Sequence, residues 1–177
     1  MKIDYNYLSK KAHENAVKHG WWEKELNNEH CLMMVITEIS EAIEADRKDK
    51  RADQESFDLL QHNKNIGFEQ YIKNTVEDEF ADIAIRLFDL AGKLGLDFKK
   101  LKPCRYHRAF DHFKFTDNAF GLTKGLCREQ ISIEKRILFA LDFIFGWAKA
   151  LQIDLEYYVY IKMMYNESRP YKHNKKY

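Results

Sequence analysis

Two prolines and seven glycines make up roughly 5% of this 177-residue chain, where about 12% is usual. A sandwich or barrel of many short strands needs more turn residues than that, so an all-α fold is expected. Cysteine is scarce as well: Cys31, Cys104 and Cys127 are odd in number, widely spaced and without a CxxC pair, which argues against a disulfide framework or a zinc finger. No long apolar run occurs. The most apolar stretch, Ile137 to Trp147, contains Asp142, lies among Lys135, Arg136 and Lys149, and is shorter than a bilayer span. The opening Met-Lys-Ile-Asp-Tyr-Asn-Tyr lacks the apolar core of a signal peptide. A cytoplasmic protein without membrane association is expected. An excess of one charge is missing too. With 29 Lys and Arg against 28 Asp and Glu, the chain is no polycation that coats nucleic acid, and no stable nucleic-acid partner is expected.

What is present is a core and a helical rhythm. Hydrophobic residues make up 45% of the chain and charged residues 32%, the balance of a folded globular protein. The length and the absence of a low-complexity linker or internal repeat point to a single all-α domain over 1–177, a bundle of five or more helices. Asp4 is a plausible N-cap for a first helix to His19, with Gly20 as its stop. A second helix begins near Asn27 or Asn28, and its Leu32, Val35, Ile36, Ile39 and Ile43 recur at three and four. Residues 51–68, with scattered apolar positions, read as a partly helical, surface-lying insertion. A third long helix is expected from about Glu69 to Leu94, with Val76, Phe80, Ile83, Leu87, Leu90 and Ala91 as its stripe and Gly95 as its stop. A short piece from Phe98 to Leu101 should end at Pro103. Tyr106 to Phe115 is compatible with a helix, while Asp117 to Gly125 reads as loop. Helices from Ser132 to about Gln152 and from Asp154 to Ser168 complete the chain, the last cut off by Pro170.

The second helix carries Glu38 and Glu41, and the third carries Glu79 and Asp82. Each pair is spaced i,i+3, which puts two carboxylates on one helix face about 5–6 Å apart. Both pairs border the apolar stripe of their helix. If the two helices pack antiparallel, four carboxylates meet at the edge of the core, and such a cluster calls for a cation. Hard oxygen donors select Mg²⁺, or Mn²⁺, over zinc, and inward carboxylates from facing helices are a known way to build such a site in a bundle. The alternative is two solvated acidic faces, since pairs at this spacing arise on many helices; neighbouring Glu44, Asp46, Glu77 and Asp78 make the same pattern. Near the C-terminus, Lys162, Asn166 and Arg169 share one helix face, and His173, Lys175 and Lys176 follow the proline. Arg offers phosphate a planar fork, Lys a point charge, and Asn a donor for phosphate or sugar; otherwise the segment is a basic tail.

Together these segments resemble the MazG-like, all-α nucleoside triphosphate pyrophosphohydrolases. That family carries an ExxE pair on one helix and an ExxD pair on a later one, matched by Glu38-Ile-Ser-Glu41 and Glu79-Phe-Ala-Asp82. Its distal K…N…R…H…K segment is matched by Lys162, Asn166, Arg169, His173 and Lys175 or Lys176. The resemblance covers residues 28–48, 74–95 and 160–177. Two departures stand out. Thr37 occupies the place of a Glu that often precedes the ExxE pair, and some 37 residues separate Glu41 from Glu79, more than in compact members.

The resemblance implies a Mg²⁺-dependent hydrolase, with Mn²⁺ as a substitute, that converts a nucleoside triphosphate to the monophosphate and pyrophosphate and so cleanses the nucleotide pool. It implies metal ligation by Glu38, Glu41, Glu79 and Asp82, with Glu38 or Glu41 orienting or deprotonating the attacking water. Lys162, Asn166, Arg169, His173, Lys175 and Lys176 would hold phosphates and nucleotide. It also implies a homodimer or homotetramer. Trp21 and Trp22, just before the metal-bearing helix, either stack on a base or cap the core between two helices. Two other readings compete: a dimeric dUTP- or dCTP-directed pyrophosphatase of the same superfamily, and a non-catalytic helical module that binds a partner.

Overall fold

A computed structural model describes residues 4–60, 64–101 and 109–174. Among them are eight α-helices and no strand. They are α1 (Tyr5–Lys18), α2 (Asn28–Arg47), α3 (Gln54–Leu59), α4 (Lys64–Gly67), α5 (Val76–Lys93), α6 (Phe115–Leu126), α7 (Ile133–Ala150) and α8 (Leu155–Glu167). None of the described helices is long and apolar enough to cross a membrane.

Helices α1, α2, α3, α5 and α8 begin where the sequence supplies a side-chain oxygen for the orphan N–H groups of a first turn. The Asp4 carboxylate accepts from Asn6 and Tyr7, the Asn27 side chain from His30, and the Asp154 carboxylate from Tyr157. Gly20 follows α1 at φ 81°, a conformation that costs glycine little. The ring of Tyr171 lies where a Cβ at Gly20 would stand.

The fold is organised around α5. Val76, Phe80, Ile83, Leu87, Phe88 and Leu90 are all buried, and α1, α2, α7 and α8 pack against this one helix. Two of these neighbours run antiparallel to it. At one end of α2 the Leu26 carbonyl accepts from Lys93, and at the other the Lys50 carbonyl accepts from the Val76 N–H. On α1, the Asn6 side chain binds Asp97 and Phe98, while His13 reaches Asp89. Gly92 permits the α1 crossing, because a Cβ there would meet the Ser9 carbonyl at 2.6 Å. Trp147 of α7 closes the core against Phe80, with ring centroids 4.7 Å apart. One hydrophobic cluster runs from Ala12 to Tyr165.

Three expectations about secondary structure are corrected. The third long helix does not run on from Glu69. Residues Phe68–Ile72 form a turn of π-helix, the chain breaks at Asn74 (φ 59°), and α5 starts after Thr75. The break is built by side chains: the Thr75 hydroxyl accepts from the Asp78 N–H, and the Asp78 carboxylate accepts from the Asn74 N–H at 2.9 Å. The 51–68 segment is not merely surface-lying. Its Phe57 and Phe68 are buried edge to face, and Phe68 stacks on Tyr165 of α8. Asp117–Gly125, read as loop, is helical within α6, because Ala119, Leu122 and Leu126 give it a buried stripe that outweighs two glycines. The short piece from Phe98 to Leu101 is a turn, and of the possible Tyr106–Phe115 helix a 3₁₀ turn at Phe110–His112 lies among the described residues before α6 begins at Phe115. Pro103 lies outside the described residues.

Candidate metal and phosphate site

A cleft of about 690 Å³ opens between α1, α2, α5 and α8. Glu38 and Glu41 reach it from α2 and Glu79 from the first turn of α5, and one oxygen from each lies within 4.8 Å of the others. The acidic first turn of α5 sits where the helix dipole favours negative charge. Glu38 is 4% exposed and Glu79 3%, whereas Glu41 is exposed. Arg86, one turn further along α5 than Asp82, donates to Glu38 at 2.5 Å. Glu79 has no such help: its Oε2 is buried and finds no hydrogen-bond partner among the described residues.

Asp82 lines the same cleft but is not part of the three-glutamate group. Its Oδ2 lies 2.8 Å from the Lys162 ammonium, which also binds Asp78 at 2.5 Å. Lys162 is therefore not a free arm reaching for phosphate. It is 4% exposed, its Nζ held between two aspartates and 5.3 Å from the Phe68 ring centre. Asn166, 7% exposed, has a buried Oδ1 without a partner among the described residues, and Arg169 lies over the Tyr165 ring; both line the cleft. Lys175 and Lys176 fall outside the described residues, as does the side chain of His173.

Trp21 and Trp22 also line the cleft. The Trp22 indole N–H donates to Asp89 at 2.9 Å, His13 binds the same oxygen, and Lys93 stands over the indole ring. Arg86 and Asp89, one helical turn apart on α5, do not pair as an ordinary helix-face couple; they reach instead to α2 and to α1.

Sequence reasoning passed over Asp78, Lys73 and Lys172. Asp78 read as one more acidic residue, but it is 2% exposed; its partner is 84 residues away, so no local pattern announces it. Lys73 and Lys172 both line the cleft. Lys172 is held there by its own N–H, which donates to the His19 carbonyl, and by Glu23.

Burial, reinforced by Asp82 and Asp78, pushes the Glu79 carboxyl up to about 9. Burial and the Asp82 charge also hold Glu38 above the ordinary carboxylate range, against the pull of Arg86. For Lys162 burial acts downward, yet Asp82 and Asp78 outweigh it and keep the ammonium protonated. These shifts carry a sign. A carboxyl with a raised pKa binds its proton more tightly folded than unfolded, so its contribution to stability is intact below about pH 4.5 and is lost as pH rises towards 9. With chelator present, the melting temperature should fall between pH 5.5 and 9. With Mg²⁺ it should hold, since the ion needs the same oxygens deprotonated. Calorimetry across that range checks this, and a gap that does not widen with pH counts against it.

The donor set is all oxygen, compact and partly orphaned, as a hard divalent cation requires. Compared with known protein families, curated proteins and solved structures, the chain finds no match in any of the three.

Proposed function

We propose that this chain is a MazG-like, Mg²⁺-dependent nucleotide pyrophosphohydrolase, acting in the cytoplasm as a homo-oligomer. One observation carries the reading: Glu38, Glu41 and Glu79, the last with a buried oxygen that finds no hydrogen-bond partner among the described residues, converge in a cleft that Lys73, Arg169 and Lys172 also line. A polyanion with a bound divalent ion suits that combination of walls. Glu38, Glu41 and Glu79 would hold Mg²⁺, which when bound neutralises phosphate charge and acidifies water.

The protein's own residues do the rest of the work. Arg86 fixes Glu38, so that carboxylate enters the site oriented. Glu41, the exposed member, has access to solvent water and serves as the proton acceptor. Arg169, Lys73 and Lys172 offset the charge of the triphosphate and position it, which is most of what phosphoryl transfer asks of a protein. Water adds across the α–β anhydride, giving the nucleoside monophosphate and pyrophosphate. Trp21 and Trp22 line the same cleft and would offer a base an aromatic surface to stack on.

A panel of ribo- and deoxynucleoside triphosphates with Mg²⁺, read by pyrophosphate release, tests this. Turnover that chelator abolishes is expected. A strong preference for dUTP or dCTP narrows the enzyme to the pyrimidine-directed type. No turnover of any triphosphate, and no thermal shift with Mg²⁺ and nucleotide, leaves the partner-binding module as the better account.

A further inference from the structure

We infer that Lys162 is a permanent, built-in cation of the acidic cluster, so that the cleft takes a single divalent ion on its Glu38–Glu41–Glu79 side and Asp82 is not a ligand. The inference rests on the reading of the cleft as a divalent-metal site and concerns how its charge is divided.

The carboxylates fall into two sets. Asp78 is satisfied on both oxygens: Oδ1 binds the Lys162 ammonium at 2.5 Å and Oδ2 accepts the Asn74 N–H at 2.9 Å. Asp82 gives Oδ2 to the same ammonium at 2.8 Å. A protonated lysine between two carboxylates is a matched arrangement, with donors for each of them. It is also hard to displace, because Lys162, 4% exposed where it lines the cleft, is held by both aspartates at once. Moving it would leave Asp78, 2% exposed, as a buried uncompensated charge. The second set is Glu38, Glu41 and Glu79. Here, among the described residues, Glu38 is paired with Arg86, while the Glu79 Oε2 finds no hydrogen-bond partner. The unmet demand for positive charge is confined to this side.

A second divalent ion beside Asp82 would have to compete with Lys162 for an oxygen already engaged and would stand next to its ammonium, which like-charge repulsion opposes. Asp82 is thus a partner of Lys162, and Lys162 a positioning residue that keeps the two acidic sets apart.

The test is a titration of the full chain with Mn²⁺ alone, without nucleotide, following free Mn²⁺ by electron paramagnetic resonance. One ion per chain is expected. Asp82→Asn should keep that stoichiometry and weaken affinity by less than about tenfold, while Glu79→Gln should weaken it by more than about 100-fold, beyond the usual cost of losing a residue behind the ligands. Two ions per wild-type chain, or a loss in Asp82→Asn of tenfold or more, overturns the inference while leaving a metal site in place. No Mn²⁺ binding by the wild type overturns the metal reading itself, and this inference with it.

Discussion

Replacing Glu79 by glutamine is expected to stabilise the protein and disable it at once. At pH 9 in chelator the variant should melt higher than the wild type, because the neutral amide removes a carboxylate that is almost wholly buried and has an oxygen without a partner. At about 1.4 kcal/mol per pKa unit, a carboxyl pushed up to about 9 represents a gain on the order of a few kcal/mol. At pH 5 the two proteins should melt alike, since Glu79 is then protonated anyway. Mg²⁺, which should raise the wild-type melting temperature at pH 9, should do little for the variant. Pyrophosphate release should fall by more than about 100-fold, since the change removes an oxygen donor that nothing else in the cleft replaces. A variant that is less stable than wild type at pH 9, or that keeps its turnover, counts against the role given to Glu79.

Lys162→Met should have the largest effect on stability. Methionine fills nearly the same volume but leaves Asp78 and Asp82 without their shared ammonium. Removing one partner of a buried ion pair costs about 3–5 kcal/mol, a large share of the stability of a domain this size. Chemical denaturation should show that loss as a lower midpoint with an unchanged slope. Adding Asp78→Asn and Asp82→Asn to the same chain should return much of it, because the penalty comes from the stranded charges rather than from the lost contact. If the single variant lies within about 1 kcal/mol of wild type, the value of a screened surface pair, Lys162 does not carry the load described for it.

What could be read in the sequence was what is decided locally. Asp4, Asn27 and Asp154 announce helix starts because a capping oxygen acts on amides two or three residues away. The apolar stripes of α2 and α5 indicated which faces turn inward, and with them the approach of Glu38, Glu41 and Glu79 across an antiparallel pair. The rest depended on partners distant in the chain. Asp82 is drawn aside by a lysine on α8, Arg86 crosses to α2 rather than pairing along its own helix, and the break before α5 is made by the carboxylate of Asp78 turning back on Asn74. The glycines of α6 suggested a loop because the signal that overrides them, burial against α7, is tertiary. The comparisons added nothing to this, so the functional reading stands on the site's chemistry and on the resemblance of its two paired motifs.

On an ordinary amphipathic helix, a wet side absorbs evolutionary drift while the dry side stays fixed. Helix α5 has hardly any wet side: neighbours cover most of its length, and where they leave a gap, Asp82, Arg86 and Asp89 face the cleft. Almost any exchange between Val76 and Ala91 therefore disturbs either the packing or the chemistry. The helix should be the slowest-changing stretch of any lineage that keeps this fold, and the last place to look for harmless variation.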